Sequence, residues 1–512
     1  MRRFLRIFFS RYAISAVIIL LDLAAIAYFI FYFSIYSLVF FLSAAAVNLI
    51  VLIQIINRDI NPEVKLTWLA VVMAIPLFGC AIYIIFNSSS PRRAESRLMA
   101  RIFDELKERG DETNSALEAL AESSVELAGY AHAILKDDSL ATLYRGGNEE
   151  YYPSGEKFFS SLLSSIEKAE RYVYIETFII SEGKMWERLH SVLKEKARSG
   201  VTVRVLYDDV GSMSGVGAHF DTELCREGIE CRRFGRITPR LVSSHNNRDH
   251  RKIAVIDGEI AFTGGINIAY EYINEVRRFG HWKDGGISIR EDAVAGFERL
   301  FLSLWCYAEG STLIPAEHAA RKRAVENESG GFIIPYGSGP SPIYPAPVCK
   351  NLLMGMINGA KSYLYVTTPY LIIDYDLTEA LRSAAARGVD VRIITPGIPD
   401  KKMINVMTKS AYPRLIESGV RIFEYSGGFI HEKIAVADGE VATVGTVNLD
   451  YRSLMHHYEC GAWLAKCPVI ADIRDGFLST LEVSAEITAE NAKLGIAAKI
   501  AKNLVRIFAP LM

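Results

Sequence analysis

Residues 250–257 read His250-Arg-Lys-Ile-Ala-Val-Ile-Asp257, and residues 431–438 read His431-Glu-Lys-Ile-Ala-Val-Ala-Asp438. In each case a glycine follows the histidine by 14 positions (Gly264, Gly445) and an asparagine by 17 (Asn267, Asn448). With these residue types at a few per cent each, a match at five fixed positions arises by chance on the order of once in a million start sites. Two in one chain mark an internal duplication. On a strand, His250 and Lys252 lie two apart and face the same side, as do His431 and Lys433. The apolar run after each lysine predicts a strand entering a core. Thr263-Gly-Gly and Val444-Gly-Thr predict tight returns where backbone can approach a ligand.

The flanking sequence repeats as well. Residues 172–180 and 363–371 read as buried strands, 186–199 and 377–387 have helical periodicity, Gly200 and Gly388 stop those helices, and 201–207 and 389–394 are strands again. Each is a β-α-β unit, which predicts an α/β fold of parallel sheets with helices on their faces. Residues 317–347, rich in Gly, Ser and Pro, read as the seam between the halves. The expected organisation is a membrane anchor over residues 1–90, a helical linker over 91–140, a first half over 141–325 and a second over 326–512.

The anchor is read from hydropathy. Between residues 12 and 57 the only charged residue is Asp22, and 66–86 is a further uncharged stretch interrupted by Pro76. With roughly 20 residues needed per helical span, these predict two to three transmembrane helices. The chain as a whole is nearly neutral, 57 Lys+Arg against 59 Asp+Glu over 512 residues, which disfavours a polyanion-coating protein. Seven cysteines without a C-x-x-C pair read as reduced thiols rather than a disulfide framework or zinc site. The tail, residues 493–512, sets Lys499, Lys502 and Arg506 among apolar residues and suits either an anionic membrane surface or core packing.

A histidine, an ammonium and an amide from each half converge on the needs of one phosphate group. Lys252, Lys433, Asn267 and Asn448 would hold its oxygens while His250 and His431 do covalent and proton-transfer work. Asp257 and Asp438, the last residues of the motif, fall toward the far end of the strand and read as supports. His456 and His457 read as site wall, and His245 and His281 as its rim.

The doubled HxKxxxxD signature, with Asn247-Arg-Asp-His250, Arg278-Phe-Gly-His-Trp-Lys-Asp284, Thr368-Pro-Tyr, Ser410-Ala-Tyr and Val444-Gly-Thr-Val-Asn-Leu-Asp-Tyr-Arg-Ser453, resembles the phospholipase D superfamily and within it the bacterial cardiolipin synthases. Asn57-Arg-Asp-Ile-Asn-Pro and Thr67-Trp-Leu resemble that family's anchor. Two departures are Gly285-Gly286, where members commonly have Thr-His, and His457-Tyr-Glu459, where they have Asn-Phe-Glu.

The resemblance implies two phospholipase D-like halves about a pseudo-twofold axis sharing one site, with no metal or cofactor. One histidine forms a phosphatidyl-histidine, with His250 the expected nucleophile, and His431 protonates the leaving alcohol. Asp284 and Glu459 match the family's carboxylates that orient the imidazoles. The implied reaction makes cardiolipin and glycerol from two phosphatidylglycerols, in a multi-pass protein of the bacterial cytoplasmic membrane that binds anionic lipid and no nucleic acid. Hydrolysis to phosphatidic acid is the alternative, since water and a lipid hydroxyl meet the same intermediate. A nuclease is disfavoured by the neutral charge and the anchor, and a decayed scaffold by the intact motifs.

Overall fold

A computed structural model describes residues 20–28, 36–86, 93–107, 112–236, 246–315, 330–491 of the chain. The expectations for His245 and for the tail lie outside the described residues. The chain divides into two compact units, one built on residues 1–89 and one on the remainder up to residue 503, apart from 240–243.

In the first unit, the helix Tyr36–Asn57 contains a 20-residue apolar window, enough to cross a bilayer. It is the one described helix of that kind. The expected span over 66–86 is instead two helices, Pro62–Ala74 and Pro76–Phe86, each too short to cross alone. The break follows from Pro76, whose ring disfavours helical backbone at the residue before it, and Ile75 sits at φ −138°, ψ 79°. The chain folds back there, so that Trp68 and Tyr83 meet edge-to-face with ring centroids 5.3 Å apart. Part of the stretch 12–57 lies outside the described residues.

The second unit contains two large sheets. The first runs, in spatial order, Glu150–Tyr152, Gly286–Arg290, Ile260–Gly264, Ile253–Ile256, Tyr172–Thr177, Thr202–Asp208 and Glu230–Phe234. The second runs Tyr144–Arg145, Phe332–Ser338, Glu459–Ala465, Val441–Gly445, Ile434–Ala437, Tyr363–Thr367, Asp390–Pro396, Arg421–Tyr425 and Ser484–Ile487. Six strands, from Gly286–Arg290 to Glu230–Phe234 and from Glu459–Ala465 to Arg421–Tyr425, follow one order in both. In each half the last three are parallel, as the β-α-β reading requires. The helices between them end where expected, at Gly200 and Gly388, which take φ of +93° and +92°.

The sheets are mixed rather than parallel, because the motif strand returns as one arm of a hairpin and pairs antiparallel with the first strand of its half. The hairpin turns on Asp257-Gly258 and Asp438-Gly439, all at positive φ as a type I′ turn demands. Glu259 and Glu440 N–H close the turns onto the Ile256 and Ala437 carbonyls at 3.0 and 3.1 Å. The stretch read as a seam contributes the strand Phe332–Ser338, and Tyr144–Arg145 pairs with it, so chain from the start of the expected first half edges the second sheet. Residues 93–137 form three helices whose apolar faces, including Met99, Ile102, Leu127 and Ala131, join the main core. All seven cysteines are free thiols, and only Cys225 is exposed.

Candidate active site

His250 and Lys252 do not lie on the motif strand, which begins at Ile253. They occupy the extended segment leading into it, as do His431 and Lys433 before Ile434. What holds this segment is the other half of the molecule. His250 N–H donates to the Tyr458 carbonyl at 2.9 Å, and Tyr458 N–H to the Arg248 carbonyl at 2.9 Å. His431 N–H donates to the Lys283 carbonyl at 2.7 Å, where Gly428–Ile430 pairs in parallel with His281–Lys283.

This docking crosses the acids between halves. His250 Nδ1 lies 2.9 Å from Glu459 Oε2, and His431 Nδ1 lies 2.7 Å from Asp284 Oδ2. The two carboxylates are equivalent in the repeat, two residues before Gly286 and Gly461, which pair with Gly264 and Gly445. Each half therefore supplies a histidine for itself and the acid that orients its counterpart. With Nδ1 engaged, Nε2 is the nitrogen left for chemistry.

Electrostatics follow from burial. His250, His431, Lys252, Lys433, Asp284 and Glu459 are all buried. Desolvation, then the nearby Lys433, pushes His431 down to about 4, and desolvation with Lys252 holds His250 well below the usual range. Burial brings Lys252 down to about 8 and Lys433 to about 7. It raises Glu459 to about 8, against the pull of Lys252. For Asp284 burial is outweighed by His431, Lys433 and the Gly285 N–H, and its carboxyl is held low. At neutral pH His431 is thus a neutral imidazole beside an ionised Asp284. Burial favours a neutral His250–Glu459 pair sharing one proton. Each lysine ammonium is tied by donating to the carbonyl of its own motif histidine, Lys252 at 2.7 Å and Lys433 in the same way.

The asparagines differ. Asn267 is committed within its half, its Oδ1 accepting from Ile179 N–H at 3.1 Å and its Nδ2 donating to Tyr272 OH at 2.6 Å. Asn448 Oδ1 is buried with no hydrogen-bond partner among the described residues. Asp257 and Asp438 are not brought into the site. From the hairpin turn Asp257 accepts the N–H groups of Glu170, Arg171 and Tyr172 at 2.7–2.8 Å, and Asp438 those of Lys361, Ser362 and Tyr363 at 2.7–2.9 Å. They pin the start of the first strand of each half.

Several neighbours escaped the sequence reading. Thr446 and Ser453 hydroxyls donate to Glu459. Comparison of the repeats could have flagged Thr446, since its equivalent is Gly265. There a Cβ would lie 2.0 Å from Asp284 Oδ1, so the shorter acid requires the glycine. Gly265→Ala is accordingly expected to cut turnover at least about tenfold by displacing Asp284, with steady-state rates on folded protein as the check. The departure at Gly285 has a similar cause, because a Cβ there would lie 2.1 Å from Glu432 Oε1. Glu176 and Asp249 form a second buried acid pair; burial raises Asp249 to about 7 and Glu176 well above its normal range. His431 is walled by Trp282, Tyr272 and Phe429, with ring centroids 5.3, 5.3 and 6.0 Å away. The first-half histidine instead meets Phe178 at 5.0 Å and His457 at 5.7 Å. Ligand atoms of His250, His457 and Glu459 lie within 4.8 Å of one another, the one described group with metal-binding residue types.

Two halves of one strand order, each completing the other's histidine, define a duplicated α/β enzyme of the phospholipase D type. The chain belongs to the family described as cardiolipin synthase, PLD-like domain, whose model matches residues 162–300 and 353–481. The model described as phospholipase D-nuclease N-terminal matches residues 46–86. An uncharacterized protein of Streptococcus mutans is 36% identical over 90% of this chain and 99% of its own length. A cardiolipin synthase of Geobacillus sp. (strain WCH70) is 34% identical over 92% of this chain and 93% of its own. The crystal structure of phosphatidylserine synthase from Haemophilus influenzae Rd KW20 shares the fold, with a TM-score of 0.57 at 15% identity over 75% of this chain and 97% of that one. The chain is a phospholipase D-family enzyme of phospholipid biosynthesis.

Proposed function

We propose that this enzyme is a phosphatidyltransferase that makes cardiolipin and glycerol from two molecules of phosphatidylglycerol. The observation that carries the reading is the crossed pairing of His250 with Glu459 and His431 with Asp284, which makes two histidines parts of one site, the two halves being related by a pseudo-twofold axis. His250 Nε2 attacks phosphorus, the P–O bond to the headgroup glycerol breaks, and the departing alkoxide takes a proton from His431. A hydroxyl of a second phosphatidylglycerol then gives its proton to His431 as its oxygen displaces His250 from phosphorus. Lys252, Lys433 and Asn448 offer donors to the phosphoryl oxygens, and Asn267 supports the wall through Tyr272. Anionic phosphodiester bound beside His431 raises its proton affinity from the low value of the empty site, which readies it as an acid.

The working division is an anchor over residues 1–90, a linker over 91–140 and halves over 141–325 and 326–512, with the Tyr36–Asn57 helix holding the enzyme in the bacterial cytoplasmic membrane. Hydrolysis is the competing outcome. Purified enzyme given phosphatidylglycerol alone is expected to release cardiolipin and glycerol in equal amounts, also in strong chelator. Phosphatidic acid as the main product assigns hydrolysis, and a chelator loss restored by one metal overturns the metal-free route.

A further inference from the structure

The wall of His431 continues outward. Phe429 stands 6.4 Å from Phe279 and 6.4 Å from Tyr370, and Trp282 stands 4.6 Å from Phe429. At the outer end of this aromatic path, Arg278 lies over the Phe279 ring at 5.1 Å and Lys401 over the Tyr370 ring at 5.5 Å. Two loops carry these cations. One runs from Asn274 to Gly280, the other from Gly397 into the helix Lys402–Ile416, and they meet where a Cβ on Gly280 would lie 3.1 Å from Ile398 Cδ1.

Both loops expose large apolar side chains among basic ones. Val276 is 47% exposed, Ile398 43%, Met403 49% and Val406 39%, interleaved with exposed Arg277, Arg278, Lys401 and Lys402. The acids on these loops are engaged: Glu275 pairs with Lys184 at 3.2 Å, and Asp400 accepts from Tyr370 OH at 2.7 Å and lies 3.7 Å from Lys401, which leaves Arg277, Arg278 and Lys402 as the excess basic charge of the rim. In the other half, the loop that follows the equivalent strand exposes Val210 and Met213, beside the Phe178 that touches His250. Apolar groups standing in water beside an excess of basic charge cost free energy that an anionic bilayer surface recovers, since the side chains enter the interface while the cations meet headgroups.

We propose that the rim formed by residues 276–278 and 398–406 is a bilayer-docking surface, set against anionic lipid independently of the Tyr36–Asn57 helix, and that the aromatic path leads lipid from it to His431. The choice of lipid as occupant rests on the excess of basic charge and, for the path, on the proposed function.

The test uses the full chain reconstituted in bilayers of phosphatidylcholine and phosphatidylglycerol. Cys225→Ser removes the one exposed described thiol, and Met403→Cys carries an environment-sensitive fluorophore. Blue-shifted emission quenched by shallow doxyl lipid is expected at 403. The same label at Val125→Cys, 80% exposed at the start of the helix Val125–Asp137, should emit as in water. Solvent-like emission at 403 overturns the proposal, as does a blue shift that doxyl lipid fails to quench, which would place the side chain against a second copy. Met403→Asp with Val406→Asp should abolish the quenching of a label at Val276→Cys, while Val125→Asp should leave it. The optical readout needs no turnover, so a failed docking surface and a failed transferase assignment give different results.

Discussion

Turnover is expected to fall by at least about 10⁴-fold when either His250 or His431 is replaced by alanine, and the double replacement should be no worse than the worse single one. Groups that act as a unit in one chemical step lose their joint contribution when either is removed. The crossed geometry supports treating them as such a unit: each ring is paired with an acid of the opposite half, and Lys433 and His431 both lower the proton affinity of His250. Losses that add in free energy would mean two independent sites. The division of labour has its own check. A phosphoramidate is acid-labile and survives base, which cleaves acyl esters, so enzyme mixed with donor labelled at phosphorus and denatured in base should carry label on His250. Label on His431 would exchange the roles.

Asp284→Asn and Glu459→Gln should each lower turnover by about 10³-fold while lipid binding and folding are retained. An amide can donate where the Asp284 carboxylate only accepted, and it cannot take up the proton that Glu459 shares with His250, so in either variant the imidazole is held in the wrong tautomer. The crossed pairing makes the test sharper than a rate alone. Asp284→Asn should remove the downfield Nδ1 proton resonance of His431 and leave that of His250, and Glu459→Gln should do the reverse. Asp257→Asn and Asp438→Asn supply the contrast. Each carboxylate accepts three backbone N–H groups at the start of a strand, so its loss should cost about 1–3 kcal/mol of stability and lower the melting temperature more than the rate per folded molecule. Near-normal turnover in Asp284→Asn, with inactive but stable Asp257→Asn, would reverse the assignment.

The sequence by itself determined the duplication, the α/β class, the helix stops at Gly200 and Gly388 and the candidate residues that the fold brings together. All of these are written in local patterns or in two copies of one spacing. A period of two or 3.6, a glycine where φ is positive, and a motif repeated in register survive without knowledge of the fold. Asp257 and Asp438 read from sequence only as supports at a strand end; the Asp-Gly pair between apolar runs is also a hairpin signal, but neither the turn nor the mixed sheet it implies was drawn from it.

Tertiary structure alone decided which acid serves which histidine. The two bonds join residues 209 and 147 positions apart, and nothing local distinguishes a crossed pair from an uncrossed one. The same holds for the three-ring wall at His431 against the Phe178 and His457 rings at His250, for the commitment of Asn267 to Tyr272 beside an Asn448 Oδ1 without a partner among the described residues, and for the fit of Gly265 against Asp284. The break at Pro76 is intermediate. Proline allows a kinked span or a reversal, and the packing of Trp68 on Tyr83 selects the reversal, because burial of facing side chains is a property of the folded contact and not of the hydropathy of either segment.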